Sequence, residues 1–495
     1  MYKRQAHTRT DGYREQSGLT NTNLNLRSFH KISAKSKLNF QFNYTNSPRG
    51  EDAGGITSEL AKENPRQAFT RNATFNTGES IEHIKLGSSY QLKLNPKSSF
   101  NFFGYYSYRS FEGRIPVSSS GWINLSRNYL GQGGNYSLKS TIFNGSNDFQ
   151  IGYELASQRD RRMRFQNNDG EQGALDFSQV EKFSSFSAYV IDYYTHGKWS
   201  LLLGLRLDAN NLSAKDRFLL DGDQSGSINL NAVNPNFGIN YALWEKVFLF
   251  GSFRTSFETP SLSELSANPM GVQGFNAQLD PQKATNYELG LKGTLGRKLD
   301  FSVTAFHIDT KDDLVPFELD NEPGRTFFRN AASTSREGIE VFASYPFSKR
   351  ISVSANYTFS DFTYSSFEVD GEDLSGNFLP GIPKHFFSIQ YSYQNKNGLN
   401  VRIQHRYNDT FFASDANDPE AAEGVNHILD ASLGYRIKLK KSQLIPFFGI
   451  NNILDSEYSD NVRLNAFGGR YFEPAAGINF YGGLRWKITD NAKRK

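Results

Sequence analysis

The chain is 495 residues long and close to charge-balanced, with 55 Lys+Arg against 51 Asp+Glu and a formal net charge of +4. Aromatic residues reach 14%, including Phe 42 and Tyr 25, which excludes a disordered, aromatic-poor chain. Cys 0 excludes a disulfide framework and thiolate metal sites, and charge dispersed along the chain gives no support to nucleic-acid binding.

No apolar run approaches the roughly 18 residues of a membrane helix. The opening "MYKRQAHTRTDGYREQSG" lacks the apolar core of a secretory signal, so residues 1–16 read as a truncated entry into a strand-forming region. From residue 17 onward a two-residue rhythm sets in. "KWSLLLGLRLD" places Trp199, Leu201, Leu203, Leu205 and Leu207 on one face and Gly204, Arg206 and Asp208 on the other. "ISVSANYTFS", "LNVRIQHRYN" and the closing "INFYGGLRWKI" repeat the pattern. Period two over about ten residues is a strand signal, and that length suits a tilted membrane-crossing strand. About nineteen such segments are legible, close to the size range of large outer-membrane barrels.

The connections alternate in kind. Short polar turns fall at "SFHKISAKSK", "NPKSS", "FNGSN", "THGK", "LWEK", "LGRK", "PFSKR", "QNKNG" and "KLKKS". Between them lie long connections at 47–81, 112–134, 156–181, 211–233, 257–285, 310–335, 363–385, 409–426 and 452–477. Tight turns on one side and large loops on the other mark an outer-membrane barrel. Rings at strand ends (Tyr105, Tyr106 and Tyr108; Tyr193, Tyr194 and Trp199; Phe447 and Phe448) suit the two lipid–water boundaries.

The expectation is therefore an all-β transmembrane antiparallel β-barrel over 17–488, followed by a polar tail at 489–495 and with a periplasmic C-terminus. An odd strand count leaves the barrel incomplete, because single-chain bacterial barrels have even numbers. A soluble sandwich or propeller is the competing architecture, with shorter strands and no aromatic fringe.

No catalytic constellation, cofactor motif or metal-ligand spacing emerges. The eight histidines are scattered, and none forms a helical zinc pair. Binding is expected in the long loops, because a rigid scaffold leaves recognition to its connections. "QRDRRMRFQNN" concentrates Arg159, Arg161, Arg162 and Arg164 beside Phe165. Guanidinium forks suit carboxylate, catecholate or phosphate oxygens, so a ligand role competes with contact to lipopolysaccharide phosphates or simple solvation. "PGRTFFRN" offers Arg325, Phe327, Phe328 and Arg329, against a structural reading as a return into a strand. Tyr407, Phe411 and Phe412 in "YNDTFF" are candidates for stacking on a flat ligand, against packing in the aromatic girdle. "FETPSLSEL" and "NNILDSEY" read as structural: Pro260 ends a strand, and Asn451, Asn452 and Asp455 cap turn backbone.

Several stretches then point to one family. "NYELGLKGTLGRKLDFSVTAFHIDTKDDLVPF", "FFRNAASTSREGIEVFASYPF", "FRTSFETPSLSEL", "SGNFLPGIPKHFFSIQYSY", "PFFGINNILDSEY" and "GINFYGGLRWKI" resemble the barrel of TonB-dependent outer-membrane receptors. "NSPRGEDAGGIT", "FNTGES" and "LGSSYQL" are similar to the iron-complex receptors among them. The resemblance implies a 22-stranded barrel filled by an N-terminal plug, which is not recognisable in this sequence. It implies uptake of a ferric-siderophore complex by a monomer, powered by the TonB complex acting through the missing N-terminal region. Outer-membrane lipid and lipopolysaccharide would surround it. It also implies that the inward charges Arg206, Arg402, Arg406 and Arg485 face the plug. Cobalamin or oligosaccharide uptake, a passive porin-like channel, and an envelope enzyme or adhesin stay open at this point.

Overall fold

A computed structural model describes residues 2–488 apart from 271–273, 297, 323, 370 and 441, so the expected tail at 489–495 lies outside the described residues. The long strands run β1 (Tyr2–Thr10), β2 (Leu19–Lys31), β3 (Ser36–Glu51), β4 (Gly78–Asn95), β5 (Ser98–Arg114), β6 (Trp122–Ile142) and β7 (Gly145–Asn168). They continue as β8 (Glu171–His196), β9 (Trp199–Asp216), β10 (Gly226–Trp244), β11 (Val247–Glu258), β12 (Gln282–Leu295), β13 (Leu299–Glu318) and β14 (Thr326–Tyr345). The last are β15 (Ile351–Ser366), β16 (His385–Gln394), β17 (Leu399–Asn408), β18 (Asn426–Tyr435, resuming at Ile437–Lys438), β19 (Ser442–Asn451) and β20 (Asn479–Ile488).

All of them belong to one antiparallel sheet of 21 strand segments, in which each long strand pairs with its sequence neighbours. The two pieces of β18 share β19 as partner, so the described residues contain twenty long strands, against about nineteen read from the sequence. The extra one is β1, paired along its length with β2 from Tyr2↔Arg27 to Thr10↔Leu19. Its side chains alternate without an apolar face, for Lys3, Gln5 and His7 share the phase of Leu24 and Leu26 on β2. This strand lies in the stretch that the sequence reads as a truncated entry. Among the described residues no ladder joins β1 to β20, and both edges stay unpaired there.

Loops near the two ends of the sheet meet. Arg463, between β19 and β20, reaches Asp52 Oδ1 at 2.5 Å, just past β3. Ile56 and Phe472 exchange backbone hydrogen bonds of 2.9 and 3.1 Å in the same place.

Register carries one phase of side chains unbroken around the wall. Ile151 on β7 opposes Val190, Val190 opposes Leu205, and Leu203 opposes Phe237. Further round, Leu289 opposes Ala305, Ala305 opposes Ile339, and Leu433 opposes Phe448. These residues lie exposed on the outer surface, Leu203 at 55% and Leu433 at 49%, a loss that only lipid repays. Glu154, Arg206 and Asp208 take the opposite phase; Arg206 donates across strands to Glu154 at 3.0 Å and along its own strand to Asp208 at 2.9 Å.

The short turns fall where the sequence places them. The β6–β7 turn has Phe143 and Asn144 at φ 46° and 60°, the two-residue left-handed geometry that matches strand twist. The long connections depart from expectation. Much of 112–134, 156–181, 211–233 and 310–335 is strand: β7 and β8, with 24 and 26 residues, meet at a turn on Asp169–Gly170. Spanning requires only about 9–11 residues, so the sheet continues well beyond the apolar belt. Among the described residues the buried apolar side chains gather at this rim, as in Val315, Ala331, Tyr364, Phe367, Leu374 and Leu379.

Leu203→Arg should destabilise the barrel by about 2–4 kcal/mol through a charge set in lipid. Gln150→Arg, on the inner face, should cost less than about 1 kcal/mol. Denaturant titration in bilayers, followed by heat-modifiable migration, measures both.

Candidate functional site at the loop rim

The β7–β8 extension shows how the arginine-rich stretch is used. Strand alternation splits it: Arg159 and Arg161 point outward in the phase of Ile151 and Leu155, whereas Arg162 and Arg164 point inward and are buried. Phe165 follows the outward phase and is half-buried beside a register shift. The expected loop is thus a strand, and its basic cluster serves two different surfaces.

On the inner surface, Arg162 Nε donates to Glu181 Oε1 at 2.6 Å and its Nη2 donates to Ser263 Oγ at 3.1 Å. One step down, Arg127 grips the fully buried Asp160, Nη2 to Oδ2 at 2.7 Å. Arg164 has no carboxylate partner. Its Nη2 donates to the Ser266 carbonyl and hydroxyl at 3.1 and 3.2 Å, its plane lies 4.6 Å from the Phe177 ring, and its Nε and Nη1 are unpartnered. Burial, then the fields of Arg325 and Arg162, press against its charged form. A guanidinium keeps its proton in proteins, so an anion is what would relieve that pressure.

Ser263 and Ser266 are presented by α1 (Leu262–Leu265), closed by a reciprocal cap in which Glu264 N donates to Ser261 Oγ and Ser261 N donates to Glu264 Oε2. Its Leu262 and Leu265 pack with Leu212, Leu230 and Leu279, and Phe328 lies against this cluster. The structural reading of "FETPSLSEL" matches this arrangement, with β11 ending at Glu258 ahead of Pro260.

The second candidate group faces the same mouth. Arg325 is buried, donates Nη1 to Glu322 Oε2 at 2.6 Å, and leaves Nη2 unpartnered. Phe327 is 1% exposed, and Arg329 lies 4.5 Å from the Phe317 ring and 5.7 Å from that of Phe367. Next to Phe367, the Tyr364 hydroxyl donates to the buried Asp415 at 2.6 Å. Burial raises the Asp415 carboxyl above its ordinary range, and hydrogen bonds from Tyr364 and Asn465 partly offset this.

The third group separates. Tyr407 is outward, its ring 5.0 Å from that of His427, in a girdle position. Phe411 and Phe412 form a two-residue ribbon with Ala422–Glu423 in the rim. The four residues expected to face a plug all take the inner phase; Arg406 pairs with Asp430 at 3.1 Å and Arg206 with Asp208 at 2.9 Å, while Arg402 and Arg485 stand exposed. In the β19–β20 loop, Asn452 holds Ser456 and Ala476 backbone, and Asp455 Oδ1 accepts from Ile478 N at 2.7 Å.

Sequence reading did not single out Arg127, Asp160, Glu181, Asp415, Arg463 or Arg470. Arg470 donates to Glu318 at 2.9 Å, with both side chains buried. The first three become a set only once β6, β7 and β8 are in register, although charges two residues apart in one strand phase were the available hint. Among the described residues no cluster of three or more His, Cys, Asp or Glu side chains is arranged to hold a metal ion.

A family model described as "TonB dependent receptor-like, beta-barrel" matches residues 18–453. The chain belongs to this family. Its members are outer-membrane receptors rather than an enzyme class, which agrees with the lipid-facing wall. An iron-regulated outer membrane virulence protein of Vibrio cholerae is 31% identical over 182 residues, covering 32% of this chain and 26% of that protein. A "probable TonB-dependent siderophore receptor PiuA" of Acinetobacter baumannii is 24% identical over 288 residues, 55% of this chain and 37% of the relative. The matches thus span well under half of those relatives' length. The unliganded ferric citrate transporter FecA superposes with a TM-score of 0.81 at 19% identity, over 98% of this chain and 73% of FecA, a likeness of fold.

Glu181→Ala strands Arg162 as a buried charge and should cost about 3–5 kcal/mol, and adding Arg162→Met should recover much of it. Hydrogen exchange of 160–182 reads both. For Asp415, a raised native pKa means that its protonation favours the fold. That stabilisation is present below the ordinary carboxylate pKa of about 4 and is lost as pH rises through the raised native value. Proteolysis of 409–425 should therefore speed up with rising pH in the parent chain, and Asp415→Asn should flatten the trend.

Proposed function

We propose that this chain forms the barrel of a TonB-dependent receptor that takes up a ferric-siderophore complex, with the long-loop rim facing outward and the C-terminus periplasmic. The observation that carries the reading is Arg164: a buried guanidinium without a carboxylate partner among the described residues, close enough to feel the charge of Arg325. Siderophore iron complexes present carboxylate, catecholate or hydroxamate oxygens, the acceptors that guanidinium donors fit. Phe327, 5.1 Å from the Arg325 guanidinium, and Phe328, packed against the cluster of Leu262 and Leu265, supply rigid walls beside these arginines. The names of the iron-regulated and siderophore-receptor relatives support the same substrate class.

In this reading the inner charges Arg206, Arg402, Arg406 and Arg485 face the plug, and the TonB protein supplies the work of transport. Specificity in this reading is a matter of loop geometry and of unpaired donors.

The test titrates detergent-solubilised protein with ferric citrate, a ferric catecholate, cobalamin and a maltose oligosaccharide, following Tyr and Trp fluorescence. At least one ferric complex should bind, and Arg164→Met should weaken it about tenfold, near 1.4 kcal/mol. Tighter binding of cobalamin or the oligosaccharide would move the substrate class, and indifference to Arg164→Met would remove that residue from the site.

A further inference from the structure

Lower on the wall, one stretch of the inner face is left open. Gly87 on β4 stands between Tyr105 of β5 and Gln41 of β3, and Gln41 faces Arg27 of β2. A Cβ built on Gly87 would meet nothing nearer than 3.9 Å, so the wall there is bare backbone. Its aromatic neighbours lean the other way. The Tyr105 ring occupies the space that a Gly131 side chain would need, and the Phe103 ring does the same at Gly133. Both glycines lie on β6, and the two rings are parallel to within 3°. The rings thus cover the β6 flank and leave Gly87 uncovered. The result is a cavity of about 380 Å³, floored by Gly87 and walled by Tyr105, Phe103 and Phe29. That is the size of a small-molecule site.

Strand phase sets its depth. Gly87, Tyr105 and Phe103 face inward, while Leu86, Tyr106 and Phe102 beside them in sequence are exposed on the lipid face. The cavity therefore opens on the lumen at membrane depth, below the loop rim and its arginines.

The polar lining is unevenly satisfied. Its amides serve one another: Gln41 Nε2 donates to Asn43 Oδ1 at 2.6 Å, and Asn39 Nδ2 donates to Ser89 Oγ at 3.1 Å. Its cations have no such arrangement. Lys85 lies one row above Gly87, and Arg27 lies in the row of Gly87, two strands away. Both are exposed, and among the described residues neither makes an ion pair. From Ile81 to Lys93 the inner phase of β4 carries no carboxylate. One row below, Phe29 is 68% exposed. An interior glycine weakens a strand and is characteristic of places where another group approaches closely. Here that group has to be flat, to lie against Tyr105 and Phe103, and anionic, to answer Lys85 and Arg27.

We infer that the cavity over Gly87 is a binding site for a flat aromatic anion, with Tyr105 and Phe103 as its stacking face and Lys85 and Arg27 as its charge contacts. In the uptake proposed above, on which this choice of occupant rests, the anion is a phenolate or catecholate ring of the complex in passage along the lumen. Cations that are exposed rather than buried hold it loosely. That suits a station on a path, which has to bind well enough to be entered and weakly enough to be left.

The test adds iron-free 2,3-dihydroxybenzoate to the detergent-solubilised chain and reads its binding by saturation-transfer NMR and titration calorimetry. It should bind more tightly than cyclohexanecarboxylate, which has the charge without the ring, and than benzyl alcohol, which has the ring without the charge. Gly87→Leu fills the floor and should weaken binding at least tenfold, and Gly87→Ala should weaken it less. Arg27→Gln/Lys85→Gln should weaken it severalfold and flatten its salt dependence. Arg402→Gln/Arg485→Gln, inward cations elsewhere on the wall, should leave it unchanged. Heat-modifiable migration confirms that each variant is folded. No binding to the parent chain, equal affinity of Gly87→Leu, or equal affinity for cyclohexanecarboxylate would each overturn the inference. The first two results would leave this face to a polypeptide segment inside the barrel. If every ferric complex fails to bind while 2,3-dihydroxybenzoate still binds over Gly87, the uptake reading falls and the cavity stands.

Discussion

In hydrocarbon, a backbone amide without a partner has no water to fall back on. That constraint organises the whole molecule. It forces neighbouring strands into one continuous ladder, and the ladder fixes which side chains share a face. A two-residue phase, once set by register, then sorts every residue into lipid-facing or lumen-facing without further instruction. Leu203 and Arg206 lie three positions apart on one strand, yet one faces lipid and the other an ion-paired interior.

The same sorting continues above the membrane, where lipid no longer demands it. β7 and β8 run on together through their hairpin, and the phase that separates grease from charge lower down now separates two kinds of cation. Inward arginines meet Asp160, Glu181 and the serines of α1, so they hold the mouth in shape. Among the described residues the outward Arg159 and Arg161 form no ion pair. A single run of sequence thereby supplies an internal brace and an outward basic face, through geometry that a flexible loop would not provide.

The fold was legible because its rule is local. Period two, ring-rich ends and polar turns are visible within ten-residue windows, and each of the named turns sits between paired strands. β1 escaped because Lys3, Gln5 and His7 replace its apolar phase; only pairing with β2 makes it a strand. The rim was misread for a related reason. Composition beyond the belt turns polar on both faces, and polar alternation looks like loop until a partner strand supplies the hydrogen bonds. The site was less legible still. Arg162 and Glu181 are recognisable as partners only after register is known, and Asp415 meets Tyr364 through chain segments 51 residues apart.

The rim's energetics also explain why its charges lie where they do. Each buried pair there costs desolvation that the attraction barely recovers, so such pairs contribute little to net stability. They contribute discrimination: removing one partner leaves an expensive orphan, and the loops then have one arrangement far below its rivals. Arg164 departs from that pattern. A brace needs its counter-charge built in, whereas a receptor site needs it delivered from outside. In the proposed reading, a buried guanidinium satisfied by a serine and a ring, with Nε and Nη1 unpartnered, is positioned for delivery. On that reading the mouth combines arginines that are already paired, which set the shape, with one whose pairing depends on what arrives.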